Sequence, residues 1–347
     1  MSNKPIVLLI HGMGIHPPEN MSKEFKEGLT EAAIGFGVSD FNLDDQIEIV
    51  EFNYSESFDV IRASLAEQSN NILGQFNSLL GQGAAIDLVQ RLIQYQADLD
   101  KDEMIYTHWL DVLLYGATYY GEQVRVELAK VLNDLKARAA GRDIHIVAHS
   151  LGTALTHDTL NKLYRDDGTI DDGFPHLKPG IDNIKCLWTF ASVNRLVAML
   201  NGISEQDGVM CSGPTGCTNY LFNVRHELDP FTWYRCWKPD ISDGANITTK
   251  VVRDINTHSF QEYVADPGVA RLMLLQMTPL QQPRQPAKFK QCKERHLARS
   301  INGLYDLIEQ ETRELRENEV RSVPELLLAI HAFVETSRAL RDKEGRQ

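Results

Sequence analysis

Nowhere in the 347-residue chain does an apolar run approach the roughly 18 to 20 residues that a bilayer crossing requires, so no transmembrane segment is expected. The opening Met1-Ser-Asn-Lys-Pro5 has no signal-peptide layout, and the apolar stretch Ile6 to Ile10 is too short for the core of one. Cysteine is scarce: five, an odd number, at Cys186, Cys211, Cys217, Cys236 and Cys292. That suits reduced thiols in a cytoplasm better than a disulfide framework. Cys211 and Cys217 bracket Ser-Gly-Pro-Thr-Gly, but no further Cys or His completes a metal set, and they read as loop thiols. Basic residues are outnumbered, with a net charge of −13 and a pI near 5.3, which disfavours nucleic acid or an anionic membrane as the main partner. There is no low-complexity tract. With 43% hydrophobic and 24% charged residues, the composition is that of a soluble globular protein with a large core.

What is present is a stretch around which the rest can be ordered: Asp143-Ile-His-Ile-Val-Ala-His-Ser150-Leu-Gly-Thr-Ala-Leu155. A short apolar run ends in Ala148-His149-Ser150-Leu151-Gly152, and a helical pattern starts at once. Small residues two positions before and two after the serine fit a turn too tight for larger side chains. Such a strand–turn–helix lifts a hydroxyl to the top of a sheet and aims a helix N-terminus at it. Ala148 stands where Gly is more usual. The plain alternative is a serine that merely caps the helix.

Pro5 to Ile10 is a continuous aliphatic run, as in a strand buried on both faces of a parallel sheet. His11-Gly12-Met13-Gly14 follows, a loop able to expose backbone N–H groups beside a serine nucleophile. Its alternatives are a plain strand–helix turn, or His11 and His16 as metal ligands, although no acidic or cysteine partner lies nearby. A helix is predicted over about 22–35 and a strand over 46–54. Two apolar faces follow, one on Ile72, Leu73, Phe76, Leu79 and Leu80, the other on Ile86, Val89, Leu92 and Ile93. They make a helical hairpin, either a cap over the site or helices packed permanently on the core.

A long helix is predicted over 109–138, or two joined near Gly116 and Gly121. Strands are predicted over 184–193, 219–225 and 248–255, and helices around Tyr263 and over 269–277. A Gly/Ser/Cys loop over 201–218 is expected on the side of the serine. From about 279 a polar, proline-containing linker leads into two amphipathic helices, striped by Leu297, Ile301, Leu304, Tyr305 and Ile308, then by Leu327, Ile330 and Val334. Ser322 and Glu325 form a capping box ahead of the second. After position 280 there are 13 basic and 11 acidic residues, a net +2, so the preceding 280 residues carry −15. This tail is expected to be a helical hairpin that packs on the body or on another subunit, with a surface-binding element as the alternative.

A serine hydroxyl needs a histidine to take its proton and a carboxylate to hold that histidine's tautomer. In an open α/β sheet all three stand on loops at the carboxyl ends of strands. Predicted strand ends supply Ser150, Asp229 and His258 in that order, the order Ser…Asp…His of one known class of triad. Asp166, Asp167, Asp171 and Asp172 lie too near the far end of the serine helix, and Asp254 falls inside a predicted strand. His157 points away, and His226 precedes Asp229 by too little chain to come from the following strand.

These residues resemble the α/β-hydrolase superfamily. Within it the chain is most similar to lipase/esterase-like members related to glycosylphosphatidylinositol deacylases and DDHD-type phospholipases. The resemblance rests on Ile6 to Gly14, Asp111-Val-Leu-Leu-Tyr115, Val147-Ala-His-Ser-Leu-Gly-Thr153 with Asp158, Asn223-Val-Arg-His-Glu-Leu-Asp-Pro230 and Thr257-His-Ser-Phe-Gln-Glu-Tyr263. It covers roughly 4–54 and 105–277. Phe190-Ala-Ser-Val stands where those relatives commonly have a Gly-Ser-Pro-Leu type of loop.

The expected fold is therefore an α/β-hydrolase: a doubly wound, mostly parallel sheet over residues 1–278 with a helical insertion at about 55–104, then a linker and C-terminal helical hairpin over 279–347. The expected activity is hydrolysis of a lipid or small acyl ester. Ser150 would be nucleophile, His258 base and Asp229 its partner, with the N–H groups of Leu151 and Met13 as oxyanion hole. His11, Gly12, Gly14, His149 and Gly152 would shape the loops, and no cofactor or metal is called for. A thioesterase or peptidase with the same triad stays open. So does a non-catalytic hydrolase-fold scaffold, and so does a homo-oligomer formed through the C-terminal helices.

Overall fold

A computed structural model of the chain describes residues 4–12, 17, 19–55, 115, 120–164, 177–200, 208–233, 235–253, 256–301 and 303–317. The expected hairpin at 72–93, Met13, Gly14 and His16, the acidic loop at 166–172, and the last expected helix with its capping box lie outside them.

Among the described residues the strands are β1 (Ile6–Ile10), β2 (Glu48–Phe52), β3 (Ile144–His149), β4 (Ile184–Phe190), β5 (Thr218–His226) and β6 (Gly244–Thr249). They form one six-stranded sheet in the order β2-β1-β3-β4-β5-β6, with every pairing parallel. Such strands need crossover segments that cover both faces, which makes the central ones apolar throughout. β1 shows the logic most plainly. Ile6, Leu8 and Ile10 enter one core and Val7 and Leu9 the other, all fully buried.

The first core is closed by α2 (Tyr120–Ala139), α3 (Leu151–Leu163) and α4 (Asn194–Leu200), through residues such as Leu128, Leu132, Leu155 and Leu196. The second is closed by α1 (Asn20–Gly35), α5 (Phe260–Ala265), α6 (Pro267–Met277) and α7 (Pro286–Leu297), through Phe25, Leu29, Phe260, Val264, Met273 and Cys292. Helices on both faces of a parallel sheet make the chain doubly wound, and the fold is that of an α/β hydrolase.

Several local expectations are corrected. β6 runs from Gly244 to Thr249, not over 248–255. At its start a Cβ on Gly244 would stand 1.8 Å from the Leu221 carbonyl oxygen, so only glycine lets this edge strand come alongside β5. Val252, whose alternation with its neighbours read as strand, instead packs with Leu228, Leu304 and Ile308. The stretch 281–290 is not a linker throughout, because α7 begins at Pro286, where a proline at the first helical position loses no hydrogen bond. The stripe through Leu297 to Ile308 is not one helix. It breaks before Gly303, whose φ of +76° suits a residue without Cβ, and α8 (Leu304–Glu317) starts afresh.

The described part of the 201–218 loop lies at the amino ends of the strands, opposite Ser150. Ile184 N–H donates to the Cys217 carbonyl at 2.9 Å, and Asp243 N–H donates to Ser212 Oγ at 2.8 Å. Its cysteines are free, as are the other three. As for the expected junction in the long helix, Gly121 lies inside α2, and a Cβ there would stand 2.1 Å from the Tyr115 carbonyl oxygen.

The described part of the tail, as far as Glu317, packs on the body. α7 lies against α1 and α6. α8 sits behind the loop that follows β5, where Leu304 and Ile308 cover Leu228 and the Tyr305 hydroxyl donates to Glu227 Oε2 at 2.8 Å. No helix among the described residues is long and apolar enough to cross a membrane.

Candidate active site

The carboxyl ends of β1, β3 and β5 and the turn after β6 converge. β3 delivers Ser150 with φ 53° and ψ −124°, a conformation costly for a residue with a Cβ and found where surrounding structure enforces it. The enforcement is visible. Ser150 N–H donates to the Phe190 carbonyl at 2.9 Å, and its own carbonyl accepts Thr153 N–H at 2.9 Å and Thr153 Oγ1 at 2.6 Å. Thr153 Oγ1 in turn accepts Val193 N–H at 3.2 Å, tying the turn to the loop after β4.

The glycines explain themselves by proximity. A Cβ on Gly152 would stand 2.4 Å from the His11 oxygen and 2.5 Å from the Ile10 oxygen. On Gly12 it would stand 2.8 Å from Ser150 Cβ. The β1 loop thus passes directly over the serine turn, and neither backbone tolerates a side chain there.

Ser150 Oγ lies 2.9 Å from His258 Nε2, and His258 Nδ1 lies 2.7 Å from Asp229 Oδ2. A carboxylate only accepts, so Nδ1 carries the proton and Nε2 offers its lone pair to the serine hydroxyl. All three side chains are nearly or fully withdrawn from solvent, at 1%, 9% and 0% exposure for Ser150, His258 and Asp229. The charge on Asp229 is met by hydrogen bonds: Oδ1 accepts Phe231 N–H at 3.1 Å, and Oδ2 accepts the Tyr263 hydroxyl at 2.8 Å besides the imidazole. A buried charge so surrounded is tolerable where an unpaired one is not. The Phe231 ring lies 4.6 Å from that of His258 and shields its face.

Leu151, the first residue of α3, has its N–H at the helix N-terminus, where no intrahelical acceptor exists. Met13 lies outside the described residues, but the loop leading to it is held firmly. His11 Nδ1 donates to the Gly12 carbonyl at 2.7 Å, and its Nε2 lies 3.1 Å from the Tyr54 N–H and 3.0 Å from Asn53 Oδ1. The Tyr54 hydroxyl reaches the His11 and Gly12 carbonyls at 3.0 and 2.8 Å, and the two rings stack 4.1 Å apart. His11 thus braces the loop. His149 Nε2 lies 3.0 Å from the His258 carbonyl oxygen.

His226, set aside as a base on chain grounds, is held elsewhere: its Nδ1 accepts Leu228 N–H at 3.0 Å. Burial above all lowers its pKa, with the nearby Asp229 charge opposing. His157 contacts Asn161 on its own helix. Among the described residues, no three His, Cys, Asp or Glu side chains gather as a metal site.

Sequence reasoning missed Tyr263 and Tyr54. Tyr263 stood inside the stretch that carried the resemblance, five residues past His258, and Tyr54 closed a predicted strand. Nothing in either position signals a hydroxyl aimed at a carboxylate or at a loop carbonyl on a distant element.

Residues 119–185 match a family model described as "Alpha/beta hydrolase of unknown function (DUF900)". The matched stretch runs from α2 through β3, Ser150 and α3 to the start of β4, and stops short of Asp229 and His258. This likeness supports a hydrolase. No curated protein matches the chain.

Proposed function

We propose that this protein is a serine hydrolase that cleaves a carboxylic ester, of a lipid or a small acyl compound, through an acyl-enzyme. The observation that carries the reading is the unbroken hydrogen-bonded chain Ser150 Oγ–His258–Asp229, with the hydroxyl at a helix N-terminus.

Ser150 Oγ attacks the ester carbonyl as His258 Nε2 takes its proton. The negative charge on the tetrahedral oxygen is met by the N–H groups of Leu151 and, from the β1 loop, Met13. Each such donor is worth about a hundred- to a thousandfold in rate. Collapse expels the alcohol, which receives the proton from His258, and leaves the acyl group on Ser150. Water then repeats the sequence: His258 takes its proton, the oxyanion forms again, and the carboxylic acid departs as Ser150 regains its hydrogen. Asp229 keeps the proton on Nδ1 and stabilises the imidazolium throughout. Every proton and electron pair in these steps is handled by protein groups and water, so the mechanism calls on no metal or organic cofactor. The five free thiols suit a reducing compartment such as the cytoplasm. The lipase/esterase-like resemblance favours lipid esters as the class to assay first.

A fluorophosphonate probe tests the reading. Wild-type protein should be labelled at Ser150 and hydrolyse short p-nitrophenyl esters. Ser150→Ala should lose labelling and drop kcat by on the order of a millionfold. Near-full turnover by Ser150→Ala would sink the mechanism, and a parallel panel of thioesters and anilides assigns the acyl group.

A further inference from the structure

Asp229 Oδ2 receives two donors: His258 Nδ1 at 2.7 Å and the Tyr263 hydroxyl at 2.8 Å. Tyr263 sits on α5 and is 2% exposed. Its oxygen also accepts the main-chain N–H of His226 at 2.8 Å. The amide can only donate and the carboxylate can only accept, so the direction of the chain is fixed: His226 N–H to Tyr263 O–H to Asp229 Oδ2. Donors in series polarise one another, and the amide makes the phenol a stronger donor to the carboxylate. Burial, followed by the charge on Asp229, raises the Tyr263 pKa well above its ordinary value, so the hydroxyl keeps its proton at any working pH.

We propose that Tyr263 is a positioning residue that sets the basicity of His258 by drawing charge from the one oxygen of Asp229 on which the imidazolium leans. The proposal rests on the triad reading above. Tyr263 touches neither Ser150 nor the reacting atoms and acts through Asp229. The carboxylate that stabilises an imidazolium also raises its pKa, and a competing hydrogen bond to the carboxylate weakens that pull. A base poised nearer the operating pH gives up its proton more readily to the leaving alcohol. The same bond fixes the carboxylate plane, with Phe231 N–H on the other oxygen. Among the described residues, the other charged or titratable groups around this network are the His226 ring and Arg225 beside Asp229 and Tyr263, Glu227 and Asp266 beside His226, Arg253, Glu262 and His296 lining the same small cavity as Tyr263, and the His149 ring 4.8 Å from that of His258.

The experiment titrates His258 by NMR and measures kcat/KM against pH for three proteins: wild type, Tyr263→Phe, and the chain with difluorotyrosine at 263. In Tyr263→Phe the His258 titration point should rise by on the order of half to one pH unit. The acid limb of kcat/KM should move with it, and the plateau should fall about three- to tenfold. Difluorotyrosine, a stronger donor of almost the same shape, should move the titration point the opposite way. It preserves the fold and gives the sign even if the phenylalanine variant does not fold. An unmoved titration point in both variants, with or without lost activity, overturns the proposal. The NMR readout needs no turnover, so absent labelling of wild-type Ser150 would defeat the hydrolase reading separately.

Discussion

The imidazole of His149 donates its Nε2–H to the main-chain oxygen of His258 across 3.0 Å. The residue just before the serine therefore grips the backbone of the residue that would take the serine's proton. Its ring also lies 5.4 Å from Phe260, at the start of α5. Two loops that arrive from different strands are thereby held to one another, and the Ser150–His258 distance is set by this clamp as well as by the hydrogen bond between them.

Replacing His149 by Phe keeps a flat ring and removes the donor. The His258 carbonyl loses its partner, and we expect kcat to fall about tenfold with KM little changed, the response to a misplaced base. Steady-state kinetics on one short ester would show it. A change confined to KM would mean that His149 contacts substrate instead.

Asp229→Asn offers an N–H where an acceptor stood. His258 Nδ1 must then accept, the proton moves to Nε2, and the serine hydroxyl faces a donor. The expected loss in kcat is about ten-thousandfold, the scale found for this change in the template triad. Circular dichroism should report an unchanged fold, because the amide is isosteric with the carboxylate. A loss below tenfold would argue that another group orients the base.

Gly152→Ala should be far worse than its size suggests. The added methyl would press on the carbonyls of both Ile10, the last residue of β1, and His11, the first of the loop that Tyr54 ties down. Overpacking of this kind costs about 1–3 kcal/mol and occasionally more, so we expect a lowered denaturation midpoint together with lost activity. Ala148→Gly is the contrasting case. It adds no atoms and restores the more usual residue of the motif, so it should cost roughly 1 kcal/mol of stability at most and leave kcat near wild type. A Gly152→Ala protein as stable as wild type would show that the loop crossing is looser than described.

Acid should destabilise the fold through buried neutral histidines. Burial lowers the His145 pKa from 6.5 to about 3, helped by Lys185, and both its ring nitrogens are buried without a hydrogen-bond partner. Burial also lowers His296 to about 4, helped by Arg253, and lowers His226. These values lie below those of the unfolded chain, which therefore takes up protons first as pH falls. The stability they contribute is complete above pH 6.5 and drains away between there and about pH 3 to 4, by up to about 1.4 kcal/mol per pH unit for each group. His145→Leu should remove one proton's worth of that slope in urea titrations run at successive pH values. An unchanged slope would mean that His145 is not buried in the neutral form.

The serine turn was legible in the sequence because its cause is local. A tight crossing needs small residues at fixed offsets, and Ala148 and Gly152 stand at them. The order Ser150, Asp229, His258 could be read because each follows a strand-forming run, and a parallel sheet brings such ends together. What could not be read depends on contacts distant in sequence. The rhythm of Thr248 to Ile255 looked like a strand, yet Val252 is claimed by Leu304 and Ile308 of the tail, and its carbonyl accepts Ile301 N–H at 3.0 Å. Pro286 looked like part of a linker until Cys292 and His296 were seen buried behind it. Tyr263 reads as one more apolar-face residue on a short helix. That its hydroxyl ends on Asp229, 34 positions away, follows only from how α5 is laid against the sheet.

The all-parallel sheet also has a consequence in time. Ser150 and His258 are 108 positions apart, and Asp229 precedes His258 by 29 of these, with whole crossovers between them. At the usual pace of synthesis, roughly 5 to 20 residues per second, the serine leaves the ribosome about 5 to 20 seconds before its base. Throughout that interval, and in any state where β5 and β6 have not yet docked, Ser150 is an ordinary alcohol. Non-local pairing of this kind forms late in folding. Fluorophosphonate labelling during refolding should therefore appear together with the final cooperative phase, so that the chain acquires its reactivity and its native structure in a single event.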